Sequence, residues 1–134
     1  MDRKEWLTLY KRIWSDNEFS GDLIRRLFTE DAVYRPNVLP TIERSYVGHD
    51  EILEYMKRVV PTLQWENSVS GGTIDAGDTF VRQTWLWGIV EGKQCTEVLC
   101  TVYKFAVDGR CREVRDFVQT TDSIIKPFSG WAST

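Results

Sequence analysis

The stretch TFVRQTWLWGIVEGKQCTEVLCTVYKFAVDGRCREVRDFVQTT, residues 79 to 121, alternates side-chain character between turn signals at Gly92-Lys93 and Asp108-Gly109. Alternation sends successive side chains to opposite faces of an extended chain, and a glycine-bearing pair between two such runs reverses its direction. Strands are therefore predicted over Thr79 to Glu91, Cys95 to Val107 and Arg110 to Thr121. Upstream, Gln64 to Asp75 keeps the same period. It is broken at Gly71-Gly72, the sign of a bulge, before Ala76-Gly77-Asp78 turns it into Thr79. Four consecutive strands joined by tight turns form an antiparallel meander.

Before Pro61 the period is helical. Trp6, Leu7, Leu9, Tyr10, Ile13 and Trp14 recur at the spacing of one face of an amphipathic helix over residues 2 to 15. Ser20 is placed to cap a second helix, Gly21 to Phe28, and Gly48-His49-Asp50-Glu51 opens a third whose stripe runs from Ile52 to Val60. Ala32 to Arg35 reads as a short strand ended by Pro36, and Asn37 to Val47 as a loop. Helices followed by a meander make an α+β domain spanning residues 1 to 134, with Asp122 to Thr134 as a tail whose Trp131 packs back.

The chain has 134 residues, enough for one core and too few for two. A net charge of −3 with dispersed basic residues argues against nucleic acid as a partner. No long uncharged apolar run argues for a membrane span, and the charged N-terminus does not fit a signal peptide. Cys95, Cys100 and Cys111 are odd in number and match no zinc spacing, so they read as reduced, core-filling thiols of a soluble cytoplasmic protein. His49 is the single histidine, which speaks against a histidine metal site or a Ser-His-Asp triad. Six Trp, six Phe and five Tyr favour a lined cavity or an interface.

On the last run, Val114, Asp116, Val118 and Thr120 share one face, and Glu113, Arg115, Phe117 and Gln119 the other. Asp116 thus falls on the more apolar face. A carboxylate there either pairs with a buried cation or is the working group of a pocket.

Helices preceding a bent sheet, with the phrases LFTEDAVY (Leu27 to Tyr34) and G-x-x-x-I (Gly48 to Ile52), resemble the cone-shaped superfamily of nuclear transport factor 2, ketosteroid isomerase, limonene epoxide hydrolase and the SnoaL-like polyketide cyclases. The resemblance covers roughly residues 5 to 121. It implies a deep apolar pocket between the helices and the concave sheet face, and a convex face suited to a homodimer. It also implies that Phe80, Arg82, Thr84, Leu86, Glu97, Leu99, Thr101, Tyr103, Phe105, Val114, Asp116 and Val118 point inward, with Trp85 and Trp87 outward.

Against the isomerase pattern, Tyr10 matches the oxyanion-holding tyrosine. Arg35 replaces the carboxylate base, and Thr101 stands where the protonated aspartate is expected, which argues against that mechanism. Against the epoxide hydrolase's Asp-Arg-Asp set, Arg82 and Asp116 match and Thr84 replaces the third member. Against the SnoaL-like cyclases, Asp116 fits the general acid or base of the last strand, while the assisting histidine is missing and His49 lies at a helix start.

These readings assign Asp116 and Arg82, aided by Glu97 and Tyr10, to acid/base chemistry on a small apolar metabolite, without cofactor or metal. Cyclisation or isomerisation is the leading reaction, with epoxide opening and a non-catalytic ligand-binding or assembly module as alternatives. Trp14, Tyr34, Tyr55, Phe80, Thr84, Leu86, Leu99, Thr101, Tyr103, Val114 and Val118 are assigned to the substrate walls. Trp85 and Trp87, if wet, form an apolar patch that a symmetric dimer would cover.

Overall fold

The computed structural model describes residues 1–39, 41–42 and 44–127. Helix α1 (Arg3–Asp16) begins where the Asp2 carboxylate accepts the Glu5 N–H at 2.8 Å, and it stops at Asn17, whose φ of 57° is left-handed. Helix α2 (Gly21–Leu27) is capped by Ser20, whose hydroxyl accepts from Leu23 N at 3.1 Å. Helix α3 (Gly48–Val59) carries Asp50 and Glu51 in its first turn and Lys57 and Arg58 in its last, charges that complement the helix dipole. Pro61 then sits in a short 3-10 turn, Val60–Thr62.

The strands are β1 (Phe28–Leu39), β2 (Thr41–Ile42), β3 (Tyr46–Val47), β4 (Leu63–Ala76), β5 (Thr79–Val90), β6 (Lys93–Phe105) and β7 (Cys111–Thr121). They form one curved sheet in the order β2-β1-β7-β6-β5-β4, with β3 also on β1. The meander β4-β5-β6-β7 is antiparallel as expected, and β1 joins β7 in parallel. Register slips between Ser70 and Gly72, at the expected bulge, and again between Trp65 and Asn67. At the second slip β4 presses against Gly88, where an added Cβ would lie 2.2 Å from Gln64 O.

The first strand is longer than predicted. It runs through Pro36 to Leu39, and the stretch read as a loop contains β2 and β3. The reason is local: β3 pairs with Val33 and Tyr34, and β2 with Asn37 and Val38, so Pro36 falls between the two partners. A residue without an N–H is tolerated where one side of the ladder is open. Pro40 and Glu43 of that stretch, and Trp131 of the tail, lie outside the described residues.

Trp6 closes one end of the space between helices and sheet. Fully buried, it stacks on Tyr10 at 4.8 Å and meets Phe28, Tyr103 and Phe105 edge-on at 5.9, 5.5 and 5.1 Å. Its indole N–H donates to Leu27 O at 2.7 Å, so no polar atom is sacrificed to the packing.

Trp85 and Trp87 alternate with the inward residues of β5, as expected, but they are not a bare patch. Residues 123–126, just after β7, lie against them. Thr96, paired with Trp87 across β5 and β6, donates its hydroxyl to Ser123 O at 2.6 Å and accepts from Ile125 N at 2.8 Å. Trp85 Nε1 donates to Ile125 O at 2.9 Å, and Lys126 Nζ stands 5.9 Å from the Trp87 ring, which is 6% exposed. Within the chain Trp87 is thereby buried, while Trp85 stays half-buried. Among the described residues, no helix is long and apolar enough to cross a membrane.

Candidate active site

Cross-strand register aligns one row of residues over four strands: Arg82 on β5, Thr101 on β6, Asp116 on β7 and Pro36 on β1. Side chains of this row and of the rows Thr84-Leu99-Val118-Val38 and Leu86-Glu97 line a cavity of about 270 Å³. The helices supply Tyr10 and Trp14 from α1 and Tyr55 from α3. That volume lies near the lower edge of the ~300–1,000 Å³ range of ligand pockets, which suits a small metabolite.

Among the described residues Asp116 is the only buried acid, at 9% exposed. One carboxylate oxygen accepts from Tyr34 OH and the other from Thr101 Oγ1 at 2.9 Å. Burial raises its pKa; the two hydroxyl donors and the Arg82 charge oppose that rise without cancelling it. Tyr34 is pushed well above the usual tyrosine range by burial and then by the Asp116 charge, so it stays a phenol and donates. Tyr10 shifts the same way for the same two causes.

Arg82 does not hold Asp116 in an ion pair. Its Nη2 donates instead to Tyr103 OH at 3.2 Å, and its Nε is buried without a partner. Burial pushes Tyr103 up to about 12, against the lowering effect of Arg82. Of the two readings open for Asp116, the Asp-Arg salt bridge is replaced by a carboxyl held by two hydroxyls and facing a cavity.

Glu97 lies on the same inward face, four residues along β6 from Thr101. Burial, then the Asp116 charge, raises its carboxyl from 4.5 to about 7. Between those values the folded chain retains a proton that the unfolded chain has released, so this group's contribution to stability falls as pH rises. Asp116, also raised, acts with the same sign. The thermal midpoint is expected to drop from about pH 5 to about pH 8, and Glu97→Gln to flatten part of that slope. An unaltered slope in the variant would show that Glu97 titrates as an ordinary solvated carboxyl.

Two residues assigned to the walls are not there. Phe80 and Val114 share the inward face but belong to the row Phe80-Tyr103-Val114-Tyr34, where Trp6 has filled the space. Phe80 lies 6.0 Å from Tyr103 and 5.7 Å below the Arg3 guanidinium, and Val114 is fully buried. Conversely, the cavity is also lined by Lys11, Ser15, Pro36, Val38, Val59, Leu63, Trp65, Ser68 and Ser70. Pro36 and Val38 simply continue the alternation of Tyr34, a signal hidden by ending the strand at Pro36. Ser68 and Ser70 face Leu86 and Thr84 across β4 and β5.

His49 stands apart from the cavity, its Nε2 2.8 Å from Phe28 O. Arg35 also faces away, with Nη1 donating to Ser45 Oγ at 2.9 Å and Nε 3.6 Å from Glu113. The cysteines are free; burial raises the Cys111 thiol to about 12, and its Sγ lies 3.3 Å from Lys104 O. Among the described residues no cluster of His, Cys, Asp and Glu could hold a metal ion.

Comparison with known proteins fits this architecture. The chain is similar to a Jannaschia sp. CCS1 protein assigned as a candidate SnoaL-like polyketide cyclase, with a TM-score of 0.64, 17% identity, and 88% of this chain and 90% of that one covered. It is similar to a steroid delta-isomerase from Pseudomonas aeruginosa, with a TM-score of 0.61, 19% identity, and coverage of 96% and 82%. A protein with a cystatin-like fold from Xanthomonas campestris gives 0.69, 12% identity, and coverage of 88% and 91%. Likeness at these identities speaks for the fold. No curated protein matches the sequence significantly. The SnoaL-like domain family matches residues 9–114, most of the chain and all of its helices but the first turns of α1. The chain belongs to the SnoaL-like domain family.

Proposed function

We propose that the protein is an acid/base enzyme that isomerises or cyclises a small, largely apolar metabolite with its own side chains. The observation that carries this reading is a buried aspartic acid, Asp116, held by two hydroxyl donors and opening onto an aromatic-walled cavity. A structural carboxylate gains nothing from a cavity, and a catalytic one needs both access and a raised proton affinity.

In this reading the Asp116 carboxylate takes a proton from a carbon beside a substrate carbonyl, and the electron pair of the broken C–H bond passes to the carbonyl oxygen as an enolate. Tyr10 and Arg82 stabilise that oxygen. Return of the proton to a different carbon gives an isomer. Attack of the enolate carbon on a second carbonyl of the same molecule gives a ring, and its alkoxide takes a proton from Glu97, whose pKa of about 7 suits either direction of transfer.

Two features support an enzyme over a scaffold. Tyr103 lines the cavity without filling it, and Ser123, Ile125 and Lys126 lie against the outer face at Trp85, Trp87 and Thr96, which are not among the cavity's lining. Isotopes in the solvent test the reaction class. With 2-tetralone, a bicyclic enolisable ketone, the protein is expected to exchange the carbons beside the carbonyl for solvent deuterium faster than buffer does. Exchange no faster than buffer, together with incorporation of one ¹⁸O from labelled water into an epoxide substrate, would transfer the site to epoxide opening.

A further inference from the structure

A second recess, about 430 Å³, lies beside the first and is bordered by Arg3, Lys4, Lys11, Arg82 and Asp75 among others. Lys11 and Arg82 line both spaces, so they form the wall between the cavity and the surface at α1 and β5.

The charges of this region do not balance. Arg3 is committed, with Nη1 3.1 Å from Asp75 and Nη2 donating to Gly77 O at 2.7 Å, while its guanidinium lies 4.0 Å above the Phe105 ring. That pairing uses the recess's one acid. Among the described residues, neither Lys4, Lys11 nor Arg82 has a carboxylate within 4.0 Å. Arg82 makes one hydrogen bond, to the neutral phenol of Tyr103, although a guanidinium carries five N–H donors. Inside the cavity the Asp116 carboxyl takes its hydrogen bonds from Tyr34 and Thr101, and Arg82 acts on it through its charge without forming an ion pair.

We propose that the cavity takes an amphipathic acid, its apolar body against Trp14, Tyr34 and Tyr55 and one anionic head group, carboxylate or phosphate, between Lys11 and Arg82. This rests on the cavity being the substrate site. The arrangement also fixes orientation. A head group at this wall directs the rest of the molecule along the face that carries Asp116 and then Glu97, so the anion selects which carbon meets the base.

Binding of 2-naphthoate, 2-naphthyl phosphate and methyl 2-naphthoate, followed by calorimetry at low ionic strength, tests the idea without requiring turnover. At least one anion is expected to bind about tenfold more tightly than the ester, the tighter of the two naming the head group. Lys11→Met keeps the aliphatic stem on an exposed helix position, and should remove most of that preference while leaving ester affinity unchanged. Lys11→Arg should restore it. An ester that binds as well as both anions, a preference untouched by Lys11→Met, or no binding by either anion would overturn the proposal. An anion preference in a protein that exchanges no ketone protons would instead retain the anion site and remove the acid/base reading.

Discussion

Asp116→Asn is expected to lower deuterium exchange into an enolisable ketone by about 10²- to 10⁴-fold, the usual worth of a positioned general base. The amide fills the same volume, can accept from Tyr34 OH on one side, and can donate to the Thr101 hydroxyl on the other, so the fold should persist. Stability should move in the opposite direction from activity. Because burial raises the Asp116 pKa, the ionised form is disfavoured inside the protein, and a neutral amide lifts that penalty at alkaline pH. The thermal midpoint at about pH 8 should therefore hold or rise. Undiminished exchange in a folded variant would take Asp116 out of the mechanism; a collapsed midpoint would mark it as a structural carboxylate.

Trp6→Ala is expected to cost about 3–5 kcal/mol, as large aromatic-to-alanine truncations in a core do. The ring is fully buried among four aromatic neighbours, and its removal also orphans Leu27 O at the junction of α2 and β1. Against a typical domain stability of about 5–15 kcal/mol, this threatens folding outright. Trp6→Phe keeps much of the packing but leaves the Leu27 carbonyl unpaired, and should cost about 1–3 kcal/mol. Urea unfolding of the two variants separates the contributions. A Trp6→Ala variant within about 1 kcal/mol of the parent would mean that α1 does not anchor the core.

The meander and the helices were readable because their signals are local. Alternation, glycine turns and the cap at Ser20 act within a few residues, and each recurs in the fold. What escaped was decided by contacts distant in sequence. β1 continues past Pro36 because it lies against β7, some eighty residues away, and nothing in its own pattern announces that pairing. Alternation gives the face of a side chain and not its depth, so Phe80 and Val114 were indistinguishable from Arg82 and Asp116 until Trp6 filled their end of the space. The hydroxyls on Asp116 were unreadable as such for a similar reason: Tyr34 reaches it only through the parallel register of β1 on β7. Trp85 and Trp87 were placed on the correct side of β5, but their cover comes from residues beyond β7 with no periodic signature.

The row Arg82-Thr101-Asp116-Pro36 makes the site a matter of phase between strands. Adding or deleting one residue in the short connection between Phe105 and Cys111 would leave every side chain of the site present. It would bring Arg115 or Phe117 opposite Thr101 and turn the aspartate to the outer surface. Such a chain would also turn Val114 and Val118 out of the interior and bring Glu113 and Arg115 toward it. It would lose the acid from the cavity, which makes that connection far less tolerant of length change than its exposure suggests, while substitutions that preserve its length should pass.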